Sequence, residues 1–221
     1  MTDQIATQAP AEGRGAHTDP AKRRQILAGA ARVFLAQGFD AASMATIARE
    51  AGVSKGTLYV YFESKEDLFE AIVEGQCLAQ AEQIFTFDED ADISAELTRM
   101  GEGYVRYKCH QADLSSVRTI MAIAERMPEV GARFYQAGPA RGVASLKRYL
   151  EAKVAAGVLE PHDCEVAASQ FIDACVATML RPMLFNAGRP PSDERIRHVV
   201  AMAVRMLLST YGRGGAGQRS G

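Results

Sequence analysis

Residues 43–68 read SMATIAREAGVSKGTLYVYFESKEDL and decide the fold of the N-terminal part of this chain. Ser43 is a good N-cap, because its side-chain oxygen accepts a hydrogen bond from a free backbone N–H in the first helical turn. Gly52 predicts the end of that helix, since a residue without a Cβ enters the left-handed conformation cheaply. Ser54 predicts the cap of a second short helix that ends at about residue 61. Two short helices joined by a glycine-containing turn predict a helix-turn-helix, whose second helix enters the DNA major groove.

The second helix carries side chains that are suited to DNA contact. Lys55 lies in its first turn, where a recognition helix meets base edges. Gly56 lets the backbone approach DNA closely. Three hydroxyl groups on this helix are able to bond phosphates or bases, namely those of Thr57, Tyr59 and Tyr61. Each residue type alone is common on protein surfaces, so the prediction of DNA binding depends on the whole string in order.

A third helix is predicted to begin directly after the second. Ser64 is its expected cap, and Asp67 follows three residues later as in a capping box. Lys65 adds a side-chain cation to the free N–H groups of that helix start, which is a pattern typical of a phosphate anchor.

The stretch from Arg23 to Val73 resembles the DNA-binding domain of the TetR family of transcriptional regulators. The residues that carry the resemblance are Ile26, Ala30, Phe34, Gly38, Phe39, Ile47, Ala48, Ala51-Gly52-Val53-Ser54, Gly56-Thr57-Leu58-Tyr59, Tyr61-Phe62 and Ser64-Lys65-Glu66-Asp67-Leu68. The resemblance implies an all-α fold, in which a three-helix DNA-binding domain with a helix-turn-helix precedes a larger helical domain for ligand binding and dimerisation. It also implies a repressor that leaves a palindromic operator on double-stranded DNA when a small molecule binds.

The resemblance assigns DNA contacts to particular residues. The recognition-helix contacts are expected from Ser54, Lys55, Gly56, Thr57, Tyr59 and Tyr61, and the phosphate contacts from Ser43 and Lys65. The chain departs from some relatives early in the first helix of the motif, where Met44 and Ala45 replace a basic residue. Base reading is therefore expected to depend more heavily on the recognition helix.

The chain is expected to divide into four segments. These are a disordered tail (1–20), the DNA-binding domain (21–75), the ligand-binding and dimerisation domain (76–212) and a flexible tail (213–221). The acidic stretch FTFDEDADIS, residues 85–94, is the expected connection between the two domains.

Composition indicates a compact cytoplasmic protein. Hydrophobic residues make up 48% of the 221 residues, which is enough for a sizeable core. No apolar stretch is long enough to span a membrane, and the N-terminus lacks the apolar stretch of a signal peptide. The net charge of −2 predicts only modest non-specific affinity for DNA, and residues 21–70 carry seven Lys/Arg against six Asp/Glu. Specific binding would then need a dimer with several directed contacts in each half-site.

No catalytic, metal or cofactor pattern is found in the sequence. The four cysteines and four histidines are dispersed, without metal-ligand spacing. Gly212, Gly214 and Gly217 match a dinucleotide fingerprint, but they lack the strand and helix that this fingerprint requires. We therefore expect neither an enzyme nor a bound cofactor.

The last two predicted helices, about 163–186 and 193–211, are apolar on more than one side. Pro182 is expected to bend the first of them, and Ser192 to cap the second. A helix that is apolar on two faces needs partners on two faces, as in a monomer interior or a dimer. A palindromic operator favours the dimer, because it needs two copies of the reading helix.

The C-terminal half is similar, more loosely, to the AefR-like branch of the same family, through residues 125–161. Residues expected to line a pocket for an apolar or aromatic effector are Met100, Tyr104, Tyr107, Met121, Phe134, Phe171, Cys175 and Met179, with Arg118 as a polar anchor. Any one of these is equally suited to an ordinary core position.

Two other functions remain open from the sequence. One is a DNA-binding regulator that does not respond to a small molecule. The other is a helical ligand-binding protein whose helix-turn-helix no longer binds DNA.

Overall fold

The computed structural model describes residues 19–213, apart from the side chains of Gln76, Cys77, Ala81, Gln111 and Ala112. The two predicted tails, 1–20 and 213–221, fall outside this part except for their innermost residues. Regular structure in the described part is helical, which confirms the all-α prediction. The helices are α1 (Pro20–Gln37), α2 (Met44–Glu50), α3 (Lys55–Tyr61), α4 (Lys65–Ile84), α5 (Ile93–Lys108), α6 (Gln111–Ala124), α7 (Pro128–Tyr135), α8 (Arg141–Ala155), α9 (Cys164–Val176), α10 (Leu180–Leu184) and α11 (Asp193–Tyr211).

The chain divides into two compact units between Lys65 and Glu66. The first unit holds α1, α2 and α3, and the second unit holds the later helices. This division falls earlier than the boundary at residue 75 expected from sequence. The acidic stretch that was expected to connect the domains instead connects α4 to α5 within the second unit.

The core of the first unit is formed by apolar side chains at helical spacing on α1, α2 and α3. Its most deeply buried members are Ile26, Ala30, Ile47, Ala48 and Leu58. Helix α1 approaches α2 closely at Gly29, where an added Cβ would lie 2.6 Å from the Cα of Ala51. Only a glycine permits this backbone-to-backbone approach.

The turn between α2 and α3 has the geometry predicted for a glycine end-cap. Gly52 adopts a φ of +65°, and its N–H donates to the carbonyl of Arg49 at 3.2 Å. The next N–H, that of Val53, donates to the carbonyl of Ala48 at 3.0 Å. These two bonds form a Schellman motif, which satisfies carbonyl groups that the end of the helix leaves free.

The second unit is a helical bundle in which α8 packs against α9, and α11 packs against α5 and α9. Its most deeply buried core side chains include Leu97, Met100, Val105, Leu146, Leu150, Phe171 and Val200. Gly101 allows α5 to approach α11, since an added Cβ would lie 2.8 Å from a methyl carbon of Val200.

The predicted helix 163–186 is two helices in the structure. Helix α9 ends at Val176, and the short helix α10 begins at Leu180 after a turn. Pro182 explains the break, because proline has no N–H and its ring clashes with the carbonyl four residues earlier. The interruption therefore lies several residues before the proline, and is sharper than the predicted bend.

A π-helical turn, Gln136–Ala140, lies between α7 and α8 and contains Pro139. The backbone remains helical at its borders, with φ near −66° at Gln136 and Arg141. A wider turn accommodates the proline ring without ending the helix. The helical path therefore continues from α7 through this turn into α8.

Two buried charged side chains hold the connection between α4 and α5. Lys153 donates from Nζ to the carbonyls of Glu89 at 2.8 Å and Ala91 at 3.1 Å. Glu96 accepts a hydrogen bond from Arg99 Nη2 at 2.7 Å and one from the Asp88 N–H at 3.3 Å. Buried charges need such partners, so this acidic stretch is a fixed part of the second unit.

We predict that Glu96→Gln reduces the acid sensitivity of the second unit. The pKa of the Glu96 carboxyl is lowered mainly by the hydrogen bond from Arg99, against burial, which raises it. Because the folded-state pKa lies below its ordinary value of 4.5, the ionised carboxylate stabilises the fold above that pH. This stabilisation is lost as the pH falls through the lowered value.

Urea unfolding at neutral pH and at several pH values below 4.5 measures the effect. The unmodified protein should lose more stability on acidification than Glu96→Gln does. Equal losses in the two proteins would contradict this role of Glu96.

Candidate nucleic-acid interface and ligand cavity

Helix α3 has one fully buried side chain and several exposed polar groups. Leu58 is fully buried, whereas Lys55, Gly56 and Tyr59 on the same helix are exposed. Tyr59 keeps 53% of its surface accessible, although its ring is well suited to burial. The exposed polar groups of α3 therefore include an ammonium cation and a phenol, which are able to contact phosphates and base edges.

The two serines predicted to contact DNA also cap the helices of the motif. Ser43 Oγ accepts a hydrogen bond from the Thr46 N–H at 3.1 Å, and Ser54 Oγ accepts one from the Thr57 N–H at 3.0 Å. Each serine hydroxyl also lies within 3.0 Å of the threonine hydroxyl. These bonds orient the starts of α2 and α3, and contact with DNA remains a prediction for both serines.

Two further residues predicted to contact DNA have partners inside the first unit. The hydroxyl of Tyr61 accepts a hydrogen bond from the Asp19 N–H at 3.1 Å. Lys65 Nζ donates to the carbonyls of Phe39 at 3.0 Å and Asp40 at 3.1 Å, and lies 4.6 Å from the centroid of the Phe39 ring. In this structure Lys65 stabilises the chain that leaves α1, so its phosphate contact stays a prediction.

The basic side chains of the first unit differ in whether they are already paired. Arg32 forms an ion pair with Glu50 at 2.7 Å. The side chains of Arg24, Arg49 and Lys55 have no hydrogen bond or ion pair with any described residue. An unpaired cation gives up no partner when it binds a phosphate, so these three side chains are available for phosphate contact.

The second unit contains a cavity of about 280 Å³. Its aromatic walls are Phe85, Tyr104, Tyr107 and Tyr135, and its polar lining includes Gln80, Lys108, Ser169 and Asp173. This volume lies near the lower end of the range of about 300–1,000 Å³ for small-molecule sites. A mostly apolar wall with a few polar groups is typical of a site that binds a small organic molecule.

The structure brings two of the residues expected to line a pocket into this cavity and places the others elsewhere. Tyr104 and Tyr107 line it, whereas the buried core holds Met100, Phe171, Cys175 and Met179. Arg118, the predicted polar anchor, donates instead to the carbonyls of Met183 and Leu184. Met121 is 61% exposed, and Phe134 is partly buried outside the cavity lining.

The polar groups of the cavity are unequally satisfied. Lys108 Nζ is 3.2 Å from an Asp113 carboxylate oxygen and 4.9 Å from the centroid of the Tyr107 ring. Burial and the nearby Asp173 carboxylate raise the pKa of Tyr104, so this phenol stays protonated. Within the described part of the chain, neither the Tyr104 hydroxyl nor the Asp173 carboxylate has a hydrogen-bond partner.

Several lining residues were missed because their sequence signals point elsewhere. Phe85 lies in the stretch that was interpreted as a linker between domains. Gly142 leaves room for its ring, since an added Cβ would lie 2.9 Å from Phe85 Cζ. Asp173 did give a signal, because it places a charge in the otherwise apolar C-terminal half of α9.

An exposed apolar face runs along α9 and α11. Val166 of α9 is 46% exposed, and Met202 and Met206 of α11 are 48% and 53% exposed. A shallow groove between the two helices continues this face and carries Arg195 and His198 at its side. Contiguous exposed apolar side chains of this kind mark protein–protein contact surfaces.

The described residues carry no arrangement for metal binding or membrane insertion. Cys109, Cys164 and Cys175 are free and buried, and burial raises the pKa of all three thiols. No group of three or more His, Cys, Asp or Glu side chains in this part is placed to hold a metal ion. None of its helices is long and apolar enough to cross a membrane.

Two family models match the chain and together cover most of it. The model for bacterial regulatory proteins of the tetR family matches residues 26–72. The model for the C-terminal domain of AefR-like transcriptional repressors matches residues 95–213, which is more than half of the chain. Both similarities proposed from the sequence are thereby confirmed.

Individual relatives agree with the family models. The transcriptional activator FasR of Mycolicibacterium smegmatis is 45% identical over 53 residues, and the repressor BepR of Brucella suis is 41% identical over 51 residues. These matches span about a quarter of this chain and of each relative.

Solved structures extend the similarity to nearly the whole chain. A TetR-family regulator from Mesorhizobium loti has a TM-score of 0.80 and 27% identity, over 87% of this chain and 97% of its own. The flavonoid-responsive regulator FrrA has a TM-score of 0.76 and 30% identity, over 89% of this chain and 100% of its own. The chain therefore belongs to the TetR family of bacterial transcriptional regulators and carries the C-terminal domain of its AefR-like branch.

Proposed function

We propose that this protein is a homodimeric repressor that binds a palindromic DNA operator and leaves it when a small apolar or aromatic molecule binds the cavity. The observation that best supports DNA binding is the surface of α3. There Lys55 is exposed and unpaired, and Tyr59 is 53% exposed. A repressor acts where the DNA is, so a cytoplasmic location accompanies this proposal.

The proposed dimerisation is supported by the apolar face of α9 and α11. Exposing two methionines on one helix is unfavourable unless another surface covers them. A second copy is a fitting partner, because two copies related by a two-fold axis present two α3 helices to half-sites about one DNA turn apart, roughly 34–36 Å.

We predict that Met206→Glu weakens self-association about tenfold, because the change replaces an apolar side chain of the contact with a charge that must be desolvated. Sedimentation equilibrium measures the dimer dissociation constant. Met121→Glu is the matched control, since Met121 is 61% exposed on α6 and does not line the groove between α9 and α11. If both variants dimerise as tightly as the unmodified protein, the subunits associate through another surface.

The proposed response to an effector is supported by the cavity and by the residues that α4 spans. This helix begins at Lys65, at the end of the first unit, and its last turns contribute Gln80 and Ile84 to the cavity lining. The relative FrrA is named as a flavonoid-responsive regulator, which is consistent with an aromatic effector. A ligand that prefers a dimer with the wrong α3 spacing lowers operator affinity, typically by about 5–150-fold.

Selection of binding sites from random duplex DNA tests the proposal. The purified protein is expected to enrich a palindromic consensus with half-site centres about one turn apart. That consensus then serves as the probe for effector screening. By linkage, an effector that weakens operator binding must itself be bound more weakly, by the same factor, in the presence of operator.

The two alternatives give different results in the same experiments. A regulator without a small-molecule response would enrich an operator whose affinity no effector changes. A ligand-binding protein with a non-functional helix-turn-helix would enrich no sequence at low salt, although it is folded and dimeric.

A further inference from the structure

We propose that the cavity selects uncharged hydroxylated aromatic molecules and rejects aromatic carboxylates, with Asp173 accepting a ligand O–H and Tyr104 donating to a ligand oxygen. This inference rests on the proposed role of the cavity as the effector site, and adds the chemical class of the effector.

The walls of the cavity favour a flat, unsaturated ligand. Phe85 and Tyr104 meet edge to face, with ring centroids 5.8 Å apart, and Tyr107 and Tyr135 also line the space. Aromatic side chains gain from offset-stacked and edge-to-face contacts beyond the area that they bury. An aromatic ring therefore contacts this lining better than an alkyl chain of equal area.

The charges of the cavity disfavour an anion. Among the described residues that line it, Lys108 is the one cation, and Asp113 already neutralises it in an ion pair that is largely buried. Asp173 is a solvent-exposed acid of the lining, and it forms no ion pair with a described residue. Arg118, which is positively charged, is held away by the Met183 and Leu184 carbonyls. A ligand carboxylate would thus meet a carboxylate without a compensating cation, and like charges so placed are repelled.

The Tyr104 hydroxyl and the Asp173 carboxylate specify what the ligand must offer. The Tyr104 phenol remains protonated and has a hydrogen to donate, while the Asp173 carboxylate only accepts. Ligand hydroxyl groups suit both residues, because a hydroxyl is able to donate its hydrogen to Asp173 and to accept one from Tyr104 through its lone pairs. A bound ligand removes water from these groups, so a ring without oxygen would leave them unpaired and is also a poorer ligand.

A matched pair of probes tests the inference: 2-naphthol and 2-naphthoate share one ring system and differ in charge. The chain has no tryptophan, so naphthyl fluorescence reports binding without interfering tryptophan emission. The unmodified dimer is expected to bind 2-naphthol at least about tenfold more tightly than 2-naphthoate. Equal affinities for the two probes would overturn the inference and leave the DNA-binding proposal intact.

Two variants assign the selectivity to the named residues. Asp173→Asn keeps the size of the side chain and removes its charge, so 2-naphthoate should bind about tenfold more tightly while 2-naphthol changes much less. Tyr104→Phe keeps the ring and removes the donor, so 2-naphthol should bind about two- to tenfold more weakly. Both changes are conservative, and circular dichroism confirms that each variant is folded.

The control for charge is Glu151→Gln, which removes one exposed acid of α8 outside the cavity lining. It should leave both probe affinities unchanged. If Glu151→Gln strengthens 2-naphthoate binding as much as Asp173→Asn does, overall charge rather than Asp173 rejects the anion. If neither probe binds the folded dimer, the inference and the aromatic effector both fail, and the operator selection still decides DNA binding independently.

Discussion

Gly29→Ala is expected to destabilise the first unit by at least about 1–3 kcal/mol. The added Cβ would lie 2.6 Å from the Cα of Ala51, 2.7 Å from its Cβ and 2.8 Å from its N. Two of these atoms belong to the backbone at the end of α2, so no side-chain rotation relieves the overlap. Helix α1 must then move away from α2, and the buried contacts of Ile26 and Ala30 loosen.

Urea unfolding followed by circular dichroism, together with operator affinity, measures this loss. Gly75→Ala is the matched control, because Gly75 lies within α4 and an added Cβ would meet no atom within 4 Å. That exchange should be neutral or stabilising by up to about 1 kcal/mol, since alanine suits a helix better than glycine. If Gly29→Ala is as stable as Gly75→Ala, the close approach of α1 and α2 is not needed for the fold.

Lys55→Ala and Tyr59→Ala are each expected to weaken specific operator binding by about 1–3 kcal/mol, or roughly 5–150-fold. Both side chains are exposed on α3, and Lys55 has no ion pair with a described residue that would compete for it. Titration of the selected operator, followed by fluorescence anisotropy, measures the affinity.

Further variants and measurements show which kind of contact Tyr59 and Lys55 make with DNA. Tyr59→Phe retains the ring and loses only the hydroxyl. Leu35→Ala changes an 81% exposed side chain of α1 and should leave affinity unchanged. A phosphate contact from Lys55 lowers affinity for all sequences and reduces the salt dependence, whereas a base contact relaxes the preference at one position. Wild-type affinity in both alanine variants would show that α3 is not the reading helix.

The helix-turn-helix was predictable from the sequence because its signals are local. Each cap is made by a side chain and an N–H three residues apart, as at Ser43 and Ser54. The left-handed turn at Gly52 depends on that residue alone. Patterns of this kind are complete within a few residues, so a linear string contains them in full.

The cavity was not predictable to the same extent, because it depends on distant parts of the chain meeting. Apolar and aromatic residue types are visible in the sequence, and Tyr104 and Tyr107 do line the cavity. The sequence had no means of distinguishing a core position such as Phe171 from a cavity wall, since both require the same side chains. It also assigned Phe85 to a linker, because acidic neighbours outweighed one aromatic residue.

The sequence by itself therefore determined the class of fold, the family and the helix that carries the DNA-contact candidates. Those features follow from short-range backbone geometry and from the spacing of apolar residues. The tertiary structure alone decided that Lys65 is held by carbonyls, that Arg118 is not in the cavity and that Asp173 is. The partners of a charged side chain depend on the packing of whole helices, because residues far apart in the chain supply them.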